Sequence, residues 1–131
     1  NNAFSTNDQT IIFLLDQQIR WMLDHGGMSW CTQRTRESAN IIYDWATKSA
    51  FASPFVADVA QRSQVVATID LDGVSAPDVN AALRANGIVD TDGYRKLGRN
   101  QLRVGMFPAV EPTDVNALTT CIDYVVERLR N

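Results

Sequence analysis

Apolar residues recur along this chain with two periods, and these periods divide it into helices and strands. Spacings of three and four residues predict four helices, at about 8–25, at 29–49, from the Ser75 cap to Asn86, and from Pro112 to Leu129. Alternation predicts strands at 63–71 and 101–107, and the pair Ile88–Val89 is compatible with a third. Helices covering one face of a short, mostly antiparallel sheet make a small two-layer α+β domain.

The strand at 101–107 sends two sets of side chains to its two faces. Leu102, Val104 and Met106 belong to one face, and Arg103, Gly105 and Phe107 belong to the other. The run that leads into this strand, 94–103, contains four cations and no acid. Its sign opposes that of the whole chain, whose formal net charge is -3.

This basic run has two interpretations. Clustered guanidinium groups repel one another, so a compact domain tolerates them best where an anion or a partner carboxylate lies among them. Arg95 on the loop and Arg103 on the strand would then form a two-point grip for a small dianion. The alternative is an ordinary solvated face that Asp90 and Asp92 partly neutralise.

The first helix is apolar around most of its circumference. Its apolar residues form more than one stripe and comprise Ile11, Ile12, Phe13, Leu14, Leu15, Ile19, Trp21, Met22 and Leu23. Such a helix is buried on several sides, so we expect it to contact something beyond this domain's own core. Gly26 and Gly27 end it, and His25 in its last turn is interpreted as a favourable end charge. Residues 1–7 lack periodicity and are predicted to form an extended arm.

Length and composition are those of one globular domain. A chain of 131 residues, 45% hydrophobic and 21% charged, is large enough for a single core. No apolar run approaches the roughly 20 residues of a membrane span, and a pI near 5.0 argues against a broad nucleic-acid surface. Cys31 and Cys121 lack metal-ligand spacing and are interpreted as buried thiols of a cytoplasmic protein. The opening Asn1–Asn2, without Met or a basic n-region, indicates a fragment or a processed product.

Catalytic and metal-binding patterns are missing from the sequence. It contains no HExxH, CxxC or GxSxG pattern, and no nucleophile stands beside a base. The two lysines, Lys48 and Lys96, lack the desolvated setting that a Schiff-base lysine needs. We therefore predict no catalytic residue and no metal ligand in this chain.

Six segments follow one another in a familiar order and without large gaps. They are Leu14–Gln18, His25–Gly27, Arg62–Val66, Leu83–Asp90, Tyr94–Arg103 and Phe107–Val110. In this order they resemble the C-terminal part of phosphoserine aminotransferase, most closely in its actinobacterial branch. That family consists of fold-type I enzymes that use pyridoxal phosphate, and the resemblance runs through nearly the whole chain.

The resemblance implies a domain organisation and an activity. Residues 1–131 would be a single C-terminal small domain, with an arm at 1–7 and a connecting helix at 8–25, and the large cofactor-binding domain would precede it. The full-length enzyme would transfer an amino group between glutamate and 3-phosphohydroxypyruvate in serine biosynthesis, as a cytoplasmic homodimer containing pyridoxal phosphate. The fragment would supply substrate-binding arginines, carry no cofactor and be inactive alone.

The resemblance also implies roles for individual residues. Arg103 matches the arginine that holds the substrate α-carboxylate, and Arg95 matches the arginine of a His-Arg pair near the substrate phosphate. Tyr94 stands where that pair has histidine, and Lys96 and Arg99 are candidates to compensate. Ser5 and Thr6 match an Asn-Thr pair that reaches the cofactor phosphate of the neighbouring subunit, although they would also suit simple helix capping.

Two other functions compete with this one. A non-enzymatic anion-binding or regulatory α+β module would also use a basic loop, but it should be self-sufficient and have a polar first helix. A related aminotransferase would keep the chemistry and change the substrate. The extra cations Lys96 and Arg99 favour a phosphorylated substrate over a plain amino acid.

Overall fold

The computed structural model describes the backbone of residues 6–130 and the side chains of residues 9–130. The helices are α1 (Thr6–Asp24), α2 (Gly27–Lys48), α3 (Ala76–Ala85) and α4 (Pro112–Arg130), and the strands are β1 (Ala52–Pro54), β2 (Val66–Leu71) and β3 (Gln101–Gly105). The chain divides into two compact units between Gln33 and Arg34. Each unit is described by itself below.

The first unit is dominated by α1, which begins two residues before the predicted start and ends one residue before the predicted end. Seven of its large apolar side chains are 46–65% exposed, namely Ile11, Ile12, Phe13, Leu14, Leu15, Ile19 and Leu23, whereas Trp21 and Met22 are half-buried. Most of the apolar surface of the described part of α1 is therefore not covered by the rest of the unit. The prediction that 1–131 forms a single domain with an arm at 1–7 stays a prediction.

A turn built on two glycines joins α1 to α2. Gly26 and Gly27 have φ values of 117° and 66°, a region that residues with a Cβ rarely adopt. His25 lies just past the end of α1, and its Nδ1 is 2.7 Å from the carbonyl oxygen of Trp21. The imidazole thus satisfies an end carbonyl of the helix, and the predicted end-charge role stays a prediction. It also packs between the rings of Trp21 and Trp30, at centroid distances of 4.7 and 4.9 Å.

The second unit contains a three-stranded antiparallel sheet in the order β1-β2-β3. The α+β prediction is confirmed, including the mostly antiparallel sheet. β1 was not predicted, because three residues containing Pro54 show no alternation. The expectation of a strand at Ile88–Val89 is wrong, since the contact to β3 comes later, as an isolated bridge between Asp92 and Leu102.

The core of this unit lies between one face of the sheet and the helices. It consists of Ala39, Ile42, Ala46, Ala52, Ala67, Ile69, Leu71, Ala76, Val79, Leu83, Leu102, Val104, Met106, Val115, Leu118, Ile122 and Val126. The alternation predicted for β3 is confirmed, because Leu102, Val104 and Met106 are buried while Arg103 is exposed. Strand β2 begins three residues later than predicted, so Val65 precedes it and is 37% exposed, and the buried stripe of α4 ends at Val126, leaving Leu129 47% exposed.

Asn100 holds the junction of β2, α3 and β3. Its Oδ1 accepts a 2.7 Å hydrogen bond from the backbone N–H of Ala76, the first residue of α3. Its Nδ2 donates to the carbonyl oxygens of Leu71 and Val74, both at 2.8 Å. One exposed side chain therefore caps a helix and fixes the end of a strand.

Candidate functional site

A pocket of about 440 Å³ lies among the end of α3, the loop that follows it and β3. It is lined by Arg84, Asp90, Asp92, Gly93, Tyr94, Arg95, Lys96 and Arg103. Tyr94, Arg95 and Arg103, which are predicted to bind substrate, therefore line one pocket, although Arg95 lies on the loop and Arg103 on β3. Four cations and two carboxylates leave the lining with a formal excess of two positive charges.

A larger pocket of about 600 Å³ lies between the outer edge of β3 and α4. Its lining is mostly apolar, and its charged residues are the acids Asp90 and Asp114. An anion would meet no cation there, so the smaller pocket is the candidate anion site.

Arg103 is held in this pocket by the backbone on both sides of β3. Within the sheet it stands opposite Thr68 of β2. At the outer edge its N–H donates a 3.0 Å hydrogen bond to the carbonyl oxygen of Thr91. Because neighbouring strand residues point to opposite faces, burial of Leu102 and Val104 leaves the Arg103 guanidinium on the solvent side.

Tyr94 and Arg95 are positioned by a close approach of the loop to β3. A Cβ added to Gly93 would lie 2.8 Å from the carbonyl oxygen of Gln101, so only glycine allows the two backbones to come so near. Tyr94 then precedes a short 3-10 helix at Arg95–Leu97, which ends at Gly98 with φ 65°. Tyr94 is 54% exposed and lines the pocket.

The compensating role suggested for Arg99 does not agree with its contacts. Arg99 is absent from the pocket lining, and it pairs with Asp70 of β2 through Nε at 3.1 Å and through a terminal nitrogen at 2.7 Å. Partial burial raises the pKa of Asp70, but hydrogen bonds from Arg99 and Gln101 and the guanidinium charge together lower it below its ordinary value. Lys96 does line the pocket, so one of the two candidates remains.

Sequence reasoning missed Arg84 as a pocket residue. It lies in the last turn of α3, and its terminal nitrogen is 3.1 Å from a carboxylate oxygen of Asp92 and 4.0 Å from one of Asp90. Asp90 and Asp92 had been considered as partners of the basic run, but the structure pairs them with α3 instead. The available signal was the predicted helix end at Asn86, after which the chain turns back past Arg84.

A buried hydrogen bond fixes the same loop to α3. The Thr91 hydroxyl donates to Oδ1 of Asn80 on α3 at 2.7 Å, and both residues are buried. Thr91 is also the residue whose carbonyl accepts from Arg103. The loop backbone is thus tied to α3 and to β3 immediately before Tyr94 and Arg95.

The predicted cofactor contacts lie outside the described residues. Ser5 is not described, and of Thr6 only the backbone is described, as the first residue of α1. Lys48 and Lys96 are both exposed, so neither has the desolvated setting of a Schiff-base lysine. The described residues therefore offer no lysine in the setting that a Schiff base with pyridoxal phosphate needs. Among them, no helix has the length and apolar character to cross a membrane, and no cluster of three potential metal ligands occurs.

Comparison with known sequences gives a consistent result. A protein named phosphoserine aminotransferase from Rhodococcus opacus is 52% identical over 130 residues, which are 98% of this chain and 35% of that protein. Proteins from Mycolicibacterium vanbaalenii and Mycobacterium avium, which carry the same name provisionally, are 59% and 61% identical over the same shares. The chain spans about a third of the length of the curated relatives it matches. No protein-family model matches it.

Comparison with solved structures agrees. Phosphoserine aminotransferase from Bacillus circulans subsp. alkalophilus matches with a TM-score of 0.73 and 26% identity, over 83% of this chain and 30% of that one. The enzyme from Cytophaga hutchinsonii matches in fold with a TM-score of 0.76 at 24% identity, over 86% and 31%. In fold and in sequence, the chain is thus similar to part of one class of protein, the aminotransferases. Within that class, this chain is related to the C-terminal part of the phosphoserine aminotransferases.

Proposed function

We propose that this chain is the substrate-anion-binding domain of a phosphoserine aminotransferase. The complete enzyme would transfer an amino group between glutamate and 3-phosphohydroxypyruvate in serine biosynthesis. It would contain pyridoxal phosphate and work as a homodimer in the cytoplasm, a location that suits two free cysteine thiols. The proposal rests on a pocket that gathers Tyr94, Arg95 and Arg103 in a chain related to enzymes of that name.

The charge of the pocket suits the proposed substrate. The formal excess of two positive charges offsets two of the three negative charges of 3-phosphohydroxypyruvate, which carries a phosphate dianion and a carboxylate. In this assignment Arg103 holds the α-carboxylate, for which its planar guanidinium offers two parallel donors. Arg95 and Lys96 face the phosphate, and the Tyr94 hydroxyl donates a further hydrogen bond to it. Each charge-assisted hydrogen bond of this kind contributes about 1.5–3 kcal/mol.

The remainder of the enzyme would supply the cofactor site. The matched relatives are about three times as long as the segment they share with this chain, and the described residues here include no suitable lysine. When bound, pyridoxal phosphate supplies the electron sink that amino-group transfer requires. The exposed apolar surface of α1 then serves as the contact with the larger domain.

The same surface argues against a self-sufficient regulatory module. Such a module should have a polar first helix, whereas seven large apolar residues of α1 are 46–65% exposed. A monomeric soluble protein rarely exposes an apolar row of this length. The module would also bind phosphate without any transamination in the full-length protein, so an activity assay separates the two functions.

The decisive experiment measures transamination of 3-phosphohydroxypyruvate by the full-length enzyme. Loss of two charge-assisted hydrogen bonds predicts that Arg103→Ala lowers kcat/KM by about a hundredfold or more, and that Arg103→Lys, which keeps the charge without the fork, recovers only part. Arg128→Ala is the matched control, because Arg128 is exposed on α4 and contacts Tyr124 rather than the pocket. Equal activity of the Arg103→Ala and Arg128→Ala enzymes would refute the assignment.

A further inference from the structure

We propose that the Arg84–Asp92 pair sets the affinity of the pocket for dianions, with Asp92 lowering it and Arg84 restoring it. The inference rests on the proposed function, since it concerns the same anion site. It begins from the lining itself: two carboxylates share a pocket with three cations assigned to an anion. A bound dianion therefore faces like charges as well as opposite ones.

Arg84 is the group that offsets these carboxylates. Its terminal nitrogen lies 3.1 Å from Asp92 and 4.0 Å from Asp90. Without Arg84 the pocket would hold two unneutralised acids beside Arg95, Lys96 and Arg103, and the formal excess of positive charge would fall from two to one. Without Asp92 it would rise to three.

The Arg84–Asp92 pair is exposed, so it contributes too little to stability for its role to be only structural. The side chains of Arg84 and Asp92 are 55% and 52% exposed, and exposed ion pairs contribute little to stability. The loop is held in place by other contacts, namely the buried Thr91–Asn80 hydrogen bond and the bond from Arg103 N–H to the Thr91 carbonyl. Neutral substitutions at Arg84 and Asp92 should therefore change the charge of the pocket and leave its shape.

The expected effects have opposite signs. Removing one charge several ångströms from a dianion in water, at moderate salt, changes its affinity by about threefold, and for a monoanion by less than twofold. Asp92→Asn should lower the phosphate Kd about threefold, and Arg84→Gln should raise it about threefold. The double variant should return to a value near that of the unchanged chain, because it removes a neutral pair. All these differences should shrink at high salt.

The test uses the full-length enzyme and titrates it with inorganic phosphate and with acetate. Isothermal titration calorimetry gives Kd, and Arg103→Gln serves as the site control. Unchanged far-UV circular dichroism spectra show that each variant keeps the fold.

Each result has a separate meaning. Tighter phosphate binding by Asp92→Asn together with weaker binding by Arg84→Gln supports the inference, since simple damage to the loop would weaken both. If Arg103→Gln weakens phosphate binding while the Asp92 and Arg84 variants match the unchanged chain, the inference is overturned and the anion site stands. If no variant differs from the unchanged chain, including Arg103→Gln, the proposed anion site itself is overturned.

Discussion

Replacing Asn100 by alanine should destabilise the second unit by about 2 kcal/mol. The substitution removes three hydrogen bonds, to the N–H of Ala76 and to the carbonyl oxygens of Leu71 and Val74. Each such bond contributes about 0.5–1.5 kcal/mol net, and we take the low end because Asn100 is exposed and water can replace part of what is lost. The N–H of Ala76 is a first-turn donor of α3, with no partner inside the helix.

Urea unfolding followed by far-UV circular dichroism measures this loss, and amide hydrogen exchange locates it. The Ala76 amide should exchange faster in Asn100→Ala, because Asn100 Oδ1 is its acceptor. Asn86→Ala is the control: Asn86 is also exposed and makes one side-chain bond, to the carbonyl of Ala82, so it should cost about 0.5 kcal/mol. Equal losses in the two variants, with unchanged exchange at Ala76, would refute the role given to Asn100.

Two further predictions concern the elements around the site. The folded-state pKa of Asp70 lies below its ordinary value. The stability that Asp70 contributes is therefore complete above the unfolded-state pKa and is lost as the pH falls through the folded-state pKa. In urea titrations, Asp70→Asn should flatten the loss of stability below about pH 4, and a curve of stability against pH parallel to that of the unchanged chain would contradict this. Gly93→Ala should weaken phosphate binding, since its Cβ would lie 2.8 Å from the Gln101 carbonyl oxygen. Gly98→Ala is the control, because no atom lies within 4 Å of a Cβ added there. It should lower the free energy of unfolding only by the left-handed backbone strain of about 1–2 kcal/mol and should keep phosphate binding. Similar losses of phosphate binding in both glycine variants would show that contact with β3 does not position the loop.

The candidate site could be predicted in part because its main residues lie close together in sequence. Tyr94, Arg95 and Arg103 belong to one short stretch, and the alternation of β3 decides which way Arg103 points. The sequence of this stretch does not decide which of its cations remain available to an anion. Arg99 resembles Arg95 and Lys96 in charge and exposure, yet it pairs with Asp70, which is 29 residues earlier in the chain.

By itself, the sequence determined the features that arise from near neighbours. The caps of α3, the glycine turn after α1, and the alternation of β3 follow from contacts within a few residues, where backbone geometry leaves few choices. The family resemblance belongs here too, since it was carried by short ordered segments. These features located the basic run and the elements on either side of it.

Only the tertiary structure decided the pairings across longer distances. The bonds of Asn100 to α3 and β2, the partners of Arg84 and Arg99, and the strand β1 join parts of the chain whose sequences carry no mutual signal. A charged or amide side chain has several acceptable partners, and the packing of the core selects which of them come within hydrogen-bond distance. The pocket's net charge, and hence its suitability for a dianion, is a result of that selection.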